Sequence, residues 1–143
     1  MDLANCIQIA RGTQPADLIL KNARLVNVLT SEIYTTDVVI AGTRVVAVGK
    51  HYDAHHTLDL GGRYLCPGFI DAHVHIESAM VPPHEFARAV LPHGVTSVVT
   101  DPHEIANVLG LDGIRFMQQD AKYGALGMYL NAPSCVPATL MGT

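Results

Sequence analysis

One stretch of the sequence, Phe69-Ile70-Asp71-Ala72-His73-Val74-His75-Ile76-Glu77-Ser78, carries an ionisable group at every second position from Asp71 to Glu77. Side chains alternate between the faces of a β-strand. A strand here puts Asp71, His73, His75 and Glu77 on one face and Ile70, Ala72, Val74 and Ile76 on the other. The apolar face suits a covering layer of helices. The polar face cannot be buried without compensation, because an unpaired carboxylate or imidazole loses its water. A metal ion is the simplest compensation: two histidines two apart can aim both rings at one cation, at about 2.0–2.1 Å. Asp71 is then placed to orient an imidazole, and Glu77 is left as ligand, base or substrate contact. A hydrogen-bonded histidine pair at a strand end is the alternative without a metal.

A second cluster, Asp101-Pro102-His103-Glu104, directly follows the β-branched run Thr96–Thr100. In parallel α/β folds, function collects at the carboxyl ends of strands. Asp101 and His103 are therefore candidate metal ligands. Equally, Asp101 could cap a helix over His103–Leu109, with Glu104 favouring its dipole. A third cluster, Asn131-Ala132-Pro133-Ser134-Cys135-Val136-Pro137, also follows a strand-like run. Ser134 or Cys135 could face a substrate there, or the segment could be a proline-bounded loop. His51, His55 and His56 fall in a polar stretch and are expected in solvent; His84 and His93 fall at helix ends. There is no phosphate-binding glycine loop, GxSxG or HExxH, and no Pro-Cys-x-x-Cys of the zinc nucleoside deaminases.

The elements that must position these residues are legible from punctuation and periodicity. Residues 1–15 read as a weakly helical opening ending near Gly12 and Pro15. Residues 16–62 read as a small antiparallel β module, with Gly42-Thr43 as a hairpin turn. From residue 68 the order is βαβαβ: strand Phe69–Ile76, a helix opened by Pro82-Pro83 and stopped by Gly94, strand Thr96–Thr100, a helix capped by Asp112 and closed by Gly124, and strand Leu126–Leu130. Strands ending near residues 76, 100 and 131 give units of about 30 residues, the usual βαβ spacing. Parallel strands with right-handed crossovers follow.

Composition bounds what the chain can be. Its 143 residues are 49% hydrophobic and 15% charged, which excludes a disordered chain. A net charge of −4 and a pI near 6.0 argue against nucleic acid or an anionic membrane as partner. No apolar run approaches the ~20 residues that span a bilayer, and the start lacks the basic region of a signal peptide. Cys6, Cys66 and Cys135 form no CxxC pair, so a reducing cytoplasm is the expected compartment. The length allows one domain or two small ones, but not a (β/α)₈ barrel, which needs about 200 residues or more.

A β module followed by Pro67-Gly68-Phe69-Ile70-Asp71-Ala72-His73-Val74-His75 resembles the amidohydrolase superfamily. More narrowly, four stretches resemble the bacterial adenine deaminase family: His73–Ser78, Phe86–Gly94, Asp101-Pro102-His103-Glu104-Ile105-Ala106-Asn107-Val108-Leu109-Gly110 and Pro133-Ser134-Cys135-Val136-Pro137-Ala138. The resemblance runs from about residue 16 to 139, and Asp101–Gly110 is its most specific part. It implies a metal-dependent hydrolase of purine salvage that converts adenine and water to hypoxanthine and ammonia. The metal would be manganese, with iron or zinc compatible with imidazole and carboxylate ligands. His73 and His75 would be first-strand ligands, and Glu77 or Glu104 would relay protons to the leaving ammonia.

The same resemblance implies that family chains continue for several hundred residues beyond the third cluster. The expected architecture is therefore α/β and truncated. Residues 1–64 form an incomplete amidohydrolase β-sandwich, and residues 65–143 form the first three βα units of a TIM-type barrel. Such an arc leaves an open strand edge and a bare face, so weak or absent activity is expected of the isolated chain. Self-association, or pairing with the missing barrel half, is expected as well. Two other readings stand beside this one: an amidohydrolase acting on a cyclic amide, and a non-catalytic remnant that binds metal.

Overall fold

Asp2 begins the first element by accepting a hydrogen bond from the backbone of Ala4 at 2.6 Å, a side-chain cap that opens helix α1, Leu3–Ala10. The structure is a computed structural model and describes residues 2–137. It divides into two units, Met1–Pro67 and Gly68–Thr143.

In the first unit, β1 (Ala16–Asn27) is the spine of a five-stranded sheet. It pairs antiparallel with β2 (Glu32–Ala41), which pairs antiparallel with β3 (Arg44–Val48). On its other edge it pairs in parallel with β4 (Ala54–Asp59) and β5 (Tyr64–Leu65). The module is thus mixed rather than wholly antiparallel. The Gly42–Thr43 turn delivers β3 to the outer edge of β2 as expected, but the chain then crosses over to the far edge of β1. Alternation within a strand does not encode which edge receives it. Asn22 interrupts β1 at φ 53°, held by Asp37, which accepts from its backbone N–H, and by Asp59, which accepts from its side-chain amide. Ile9, Ala16, Ile19, Val39 and Ala41 form the core, and Tyr52 ties the crossover to α1 by donating to the Ala10 carbonyl.

In the second unit, three parallel strands lie in the order β6–β7–β8: Phe69–Val74, Val95–Thr100 and Gly127–Leu130. Helix α2, Pro83–Val90, follows β6, and Gly94 at φ 89° ends the 3₁₀ turn that closes it. Helices α3 (His103–Leu109) and α4 (Leu111–Asp120) follow β7. Ile76, Ala87, Val98, Met117 and Leu126 form the core between strands and helices. Gly113 of α4 lies so close to α3 that a Cβ would stand 2.8 Å from both the Ile105 side chain and its carbonyl. Among the described residues neither β6 nor β8 has a strand on its outer edge, and Ile70 on β6 is 68% exposed. Among the described residues no helix is long and apolar enough to cross a membrane.

Two expectations change here. The first strand stops at Val74 rather than Ile76. His75 caps a 3₁₀ turn, Ile76–Ala79, that carries Glu77 away from the sheet, so the alternation of acids and imidazoles does not extend to Glu77. The β6–β7 ladder is also irregular between Asp71 and Val74, as a bulge near a site commonly is. Asp112 does not cap α4. Gly110 stands at that position, and Asp112 lies in the first turn, paired with Arg115 at 2.8 Å.

Candidate metal centre

The end of β7 is laid against the end of β6 by two bonds in succession. The backbone N–H of Asp101 donates to the Val74 carbonyl at 3.1 Å. The Asp101 carbonyl then accepts from Nδ1 of His75 at 2.9 Å. A carbonyl cannot donate, so His75 carries a proton on Nδ1, which leaves Nε2 as the ring's lone-pair nitrogen, facing His73. That is the form in which histidine binds a metal.

Around His75 the site has two overlapping parts. On one side the Nε2 atoms of His73 and His75 lie 3.1 Å apart, with ring planes nearly perpendicular at 79°. Two nitrogens bound to one ion at about 2.0–2.1 Å are separated by roughly 3 Å, so the pair has the spacing of shared ligands. On the other side, His75, Asp101 and His103 present ligand atoms all within 4.8 Å of one another. The rings of His75 and His103 lie 4.6 Å apart, and Asp101 Oδ2 is 3.6 Å from His103 Nδ1.

The hydrogen-bond inventory supports the fit of a cation. Asp101 Oδ1 and His103 Nδ1 are buried and have no hydrogen-bond partner. Buried polar atoms are rarely left unsatisfied, and a carboxylate with two imidazoles is a donor set suited to zinc, iron or manganese. Asp101 therefore does not cap α3, whose cap position is Pro102 with no side-chain bond.

The remaining candidates are placed differently. Asp71 accepts from the backbone N–H of His73 at 3.1 Å, so it holds the strand and has no bond to an imidazole. Glu77 Oε1 accepts from the backbone N–H of Ile105 at 3.3 Å, and its Oε2 is buried without a partner. Glu104 accepts from the Ser78 hydroxyl at 2.8 Å. Neither glutamate joins the His75–Asp101–His103 group. Ser134 and Cys135 are exposed, in contact with each other (Oγ to Sγ 3.8 Å) and tied to α3 by Asn107, which donates to the Cys135 carbonyl. Ala138, the last residue of their motif, lies outside the described residues.

Sequence reasoning missed a pairing elsewhere. His84, expected to be an unremarkable helix-end group, binds Asp120 through its ring at 2.9 Å and its backbone N–H at 2.8 Å. Burial opposes ionisation of Asp120, but these bonds outweigh it and hold the carboxyl below its usual value. His51, His55 and His56 are exposed, as expected, and His93 is exposed as well; all three cysteines are free.

Residues 64–142 match the Amidohydrolase family. The chain is 54% identical over 136 residues to an adenine deaminase of Geobacillus kaustophilus, covering 95% of this chain and 23% of that protein. It is 50% identical over 139 residues to an adenine deaminase of Kosmotoga olearia, covering 97% and 24%. It thus spans about a quarter of the length of the curated relatives it matches. Among solved structures it is similar to the N-acyl-D-glutamate deacylase of Bordetella bronchiseptica, complexed with zinc and a phosphonate inhibitor. That match has a TM-score of 0.51 and 26% identity, over 61% of this chain and 19% of that one.

Proposed function

The chain belongs to the amidohydrolase family, and on that premise we propose that it carries the metal-binding opening of an adenine deaminase. The reaction is hydrolysis of adenine to hypoxanthine and ammonia. The observation that carries this reading is the buried pair Asp101 Oδ1 and His103 Nδ1, neither with a hydrogen-bond partner, beside His75, within a chain 54% identical to an adenine deaminase.

In this reading His73, His75, Asp101 and His103 hold a divalent ion, manganese in the first instance. When bound, the ion supplies a Lewis acid that lowers the pKa of water toward neutrality. The residues of the chain prepare that site. The Asp101 carbonyl fixes the tautomer of His75, and Asp71 holds the backbone of His73. Of the two glutamates, Glu104 is the better proton carrier: Ser78 steadies one oxygen, leaving the other to exchange a proton with the leaving amine. Ser134 and Cys135, at the end of β8, would border the purine.

The three parallel strands are proposed as the first arc of a TIM-type barrel, and residues 1–64 as part of its β-sandwich. Open edges on both sides of the arc are the support for this. Such an arc forms only one wall of a substrate cavity, so the 143 residues alone turn over adenine weakly or not at all and tend to self-associate or to pair with the rest of a barrel. The compartment is proposed as cytoplasmic. Incubating the manganese-loaded chain with adenine and measuring ammonia and hypoxanthine tests the reading. A cyclic amide consumed in preference to adenine by the loaded chain would sink it.

A further inference from the structure

Helix α3 begins with an unusual deficit. Its first N–H groups have no partners within the helix, and a side chain at the N-cap ordinarily accepts from the second or third of them. Here the cap is Pro102, whose side chain has no acceptor to offer. The missing acceptor arrives from 28 residues earlier: Glu77 Oε1 takes the N–H of Ile105, the third residue of the helix. The second residue, Glu104, is gripped from the same side by the Ser78 hydroxyl at 2.8 Å. The first residue of the helix is His103.

We propose that Glu77 is a positioning residue: with Ser78 it clasps the first turn of α3 to the end of β6, and so fixes His103 against His75. Two adjacent residues of the 3₁₀ turn hold the second and third residues of α3, which leaves the first residue little freedom. The carboxylate also lies at the positive end of a short helix dipole, which offsets part of the cost of burying its unpartnered Oε2. The clasp completes the frame begun at His75 and Asp101. One pair of bonds sets the strand ends, the other sets the helix that carries the third ligand. This inference rests on the metal-site reading above, and it assigns Glu77 to the support of that site rather than to its chemistry.

Glutamine keeps the acceptor oxygen and loses the charge, whereas alanine loses both. The test compares wild type, Glu77→Gln and Glu77→Ala in the full chain by amide hydrogen exchange at Ile105 and by titration with cobalt(II), read through its visible spectrum. A positioning role predicts that Glu77→Ala raises exchange at Ile105 at least tenfold, weakens cobalt about 10- to 100-fold, the range for residues that orient ligands, and alters the spectrum. Glu77→Gln stays within about threefold of wild type in both readouts. If Glu77→Gln is as damaging as Glu77→Ala, the charge matters rather than the hydrogen bond, and the proposal fails. No change at Ile105 in Glu77→Ala also overturns it. Should Glu77→Ala lose its secondary structure, Glu77→Asp replaces it: the carboxylate remains, one methylene short of Ile105, and the same losses are expected. A wild-type chain that binds no cobalt defeats the metal reading, and exchange at Ile105 then decides the clasp by itself.

Discussion

His75 donates through Nδ1 to the backbone carbonyl of Asp101 at 2.9 Å, and that single bond joins the ends of two neighbouring strands while fixing the tautomer of the histidine. Because the acceptor is main chain, the side chain of Asp101 remains free for other work. Its Oδ1 is buried and unpaired. Frame and ligand can therefore be separated by mutation.

Asp101→Asn tests that separation. The carbonyl bond to His75 survives, so the unfolding midpoint in urea is expected to move little. The charge that draws a cation to the cluster is lost, and metal affinity is expected to fall on the order of tenfold or more. Chelator competition measures the second quantity and urea titration the first. A large loss of stability with unchanged affinity would contradict the assignment.

His75 belongs to both halves of the site, whereas His73 lies outside the His75–Asp101–His103 group and its ring meets that of His75. His75→Ala is thus expected to abolish measurable metal binding, and His73→Ala to weaken it by at least about tenfold, because losing a ligand costs no less than losing a group that only orients one, about 10- to 100-fold. Equal metal content in wild type and the double variant, measured by atomic absorption after dialysis, would remove the site altogether.

Most of the second unit was legible because its signals are local. Pro82-Pro83 and Gly94 bracket α2, and β-branched runs mark β7. The losses have a common cause, which is distance along the chain. The parallel pairing of β4 with β1, the His84–Asp120 bond and the reach of Glu77 to Ile105 each join residues that no window of sequence contains together. The rings of His73 and His75 do meet, with their Nε2 atoms 3.1 Å apart, but strict alternation overextends the strand. Ile76 is wholly buried in the core behind the strands, and the chain turns there, so His75 ends the strand and Glu77 belongs to the turn.

The packing of α3 on α4 is sensitive at Gly113. Alanine there gains about 1 kcal/mol of helix propensity over glycine. Against that, its Cβ would stand 2.8 Å from the Ile105 carbonyl oxygen, a backbone atom that cannot rotate away, and overpacking of this kind costs about 1–3 kcal/mol. The clash is expected to win. Gly113→Ala should lower stability in urea and, because Ile105 is the residue that Glu77 holds, should also raise amide exchange at Ile105. A variant more stable than wild type would show that α4 shifts at no cost.

Acid stability offers a last test, away from the metal. The Asp120 carboxyl is held below its ordinary value of 3.8: burial resists its charge, but the backbone N–H and ring of His84 more than compensate. Its side chain is 12% exposed. A carboxyl whose folded pKa lies below its unfolded value binds fewer protons in the native state. It therefore contributes stability that is fully present above about pH 4 to 5 and is lost as pH falls through the folded value. Asp120→Asn removes that linkage. The variant should be less stable than wild type at pH 6, with the difference narrowing as pH falls below about 4. Unfolding midpoints in urea from pH 6 down to pH 3 measure the gap. A gap that stays constant over that range would mean that the bond to His84 does not depend on the charge of Asp120.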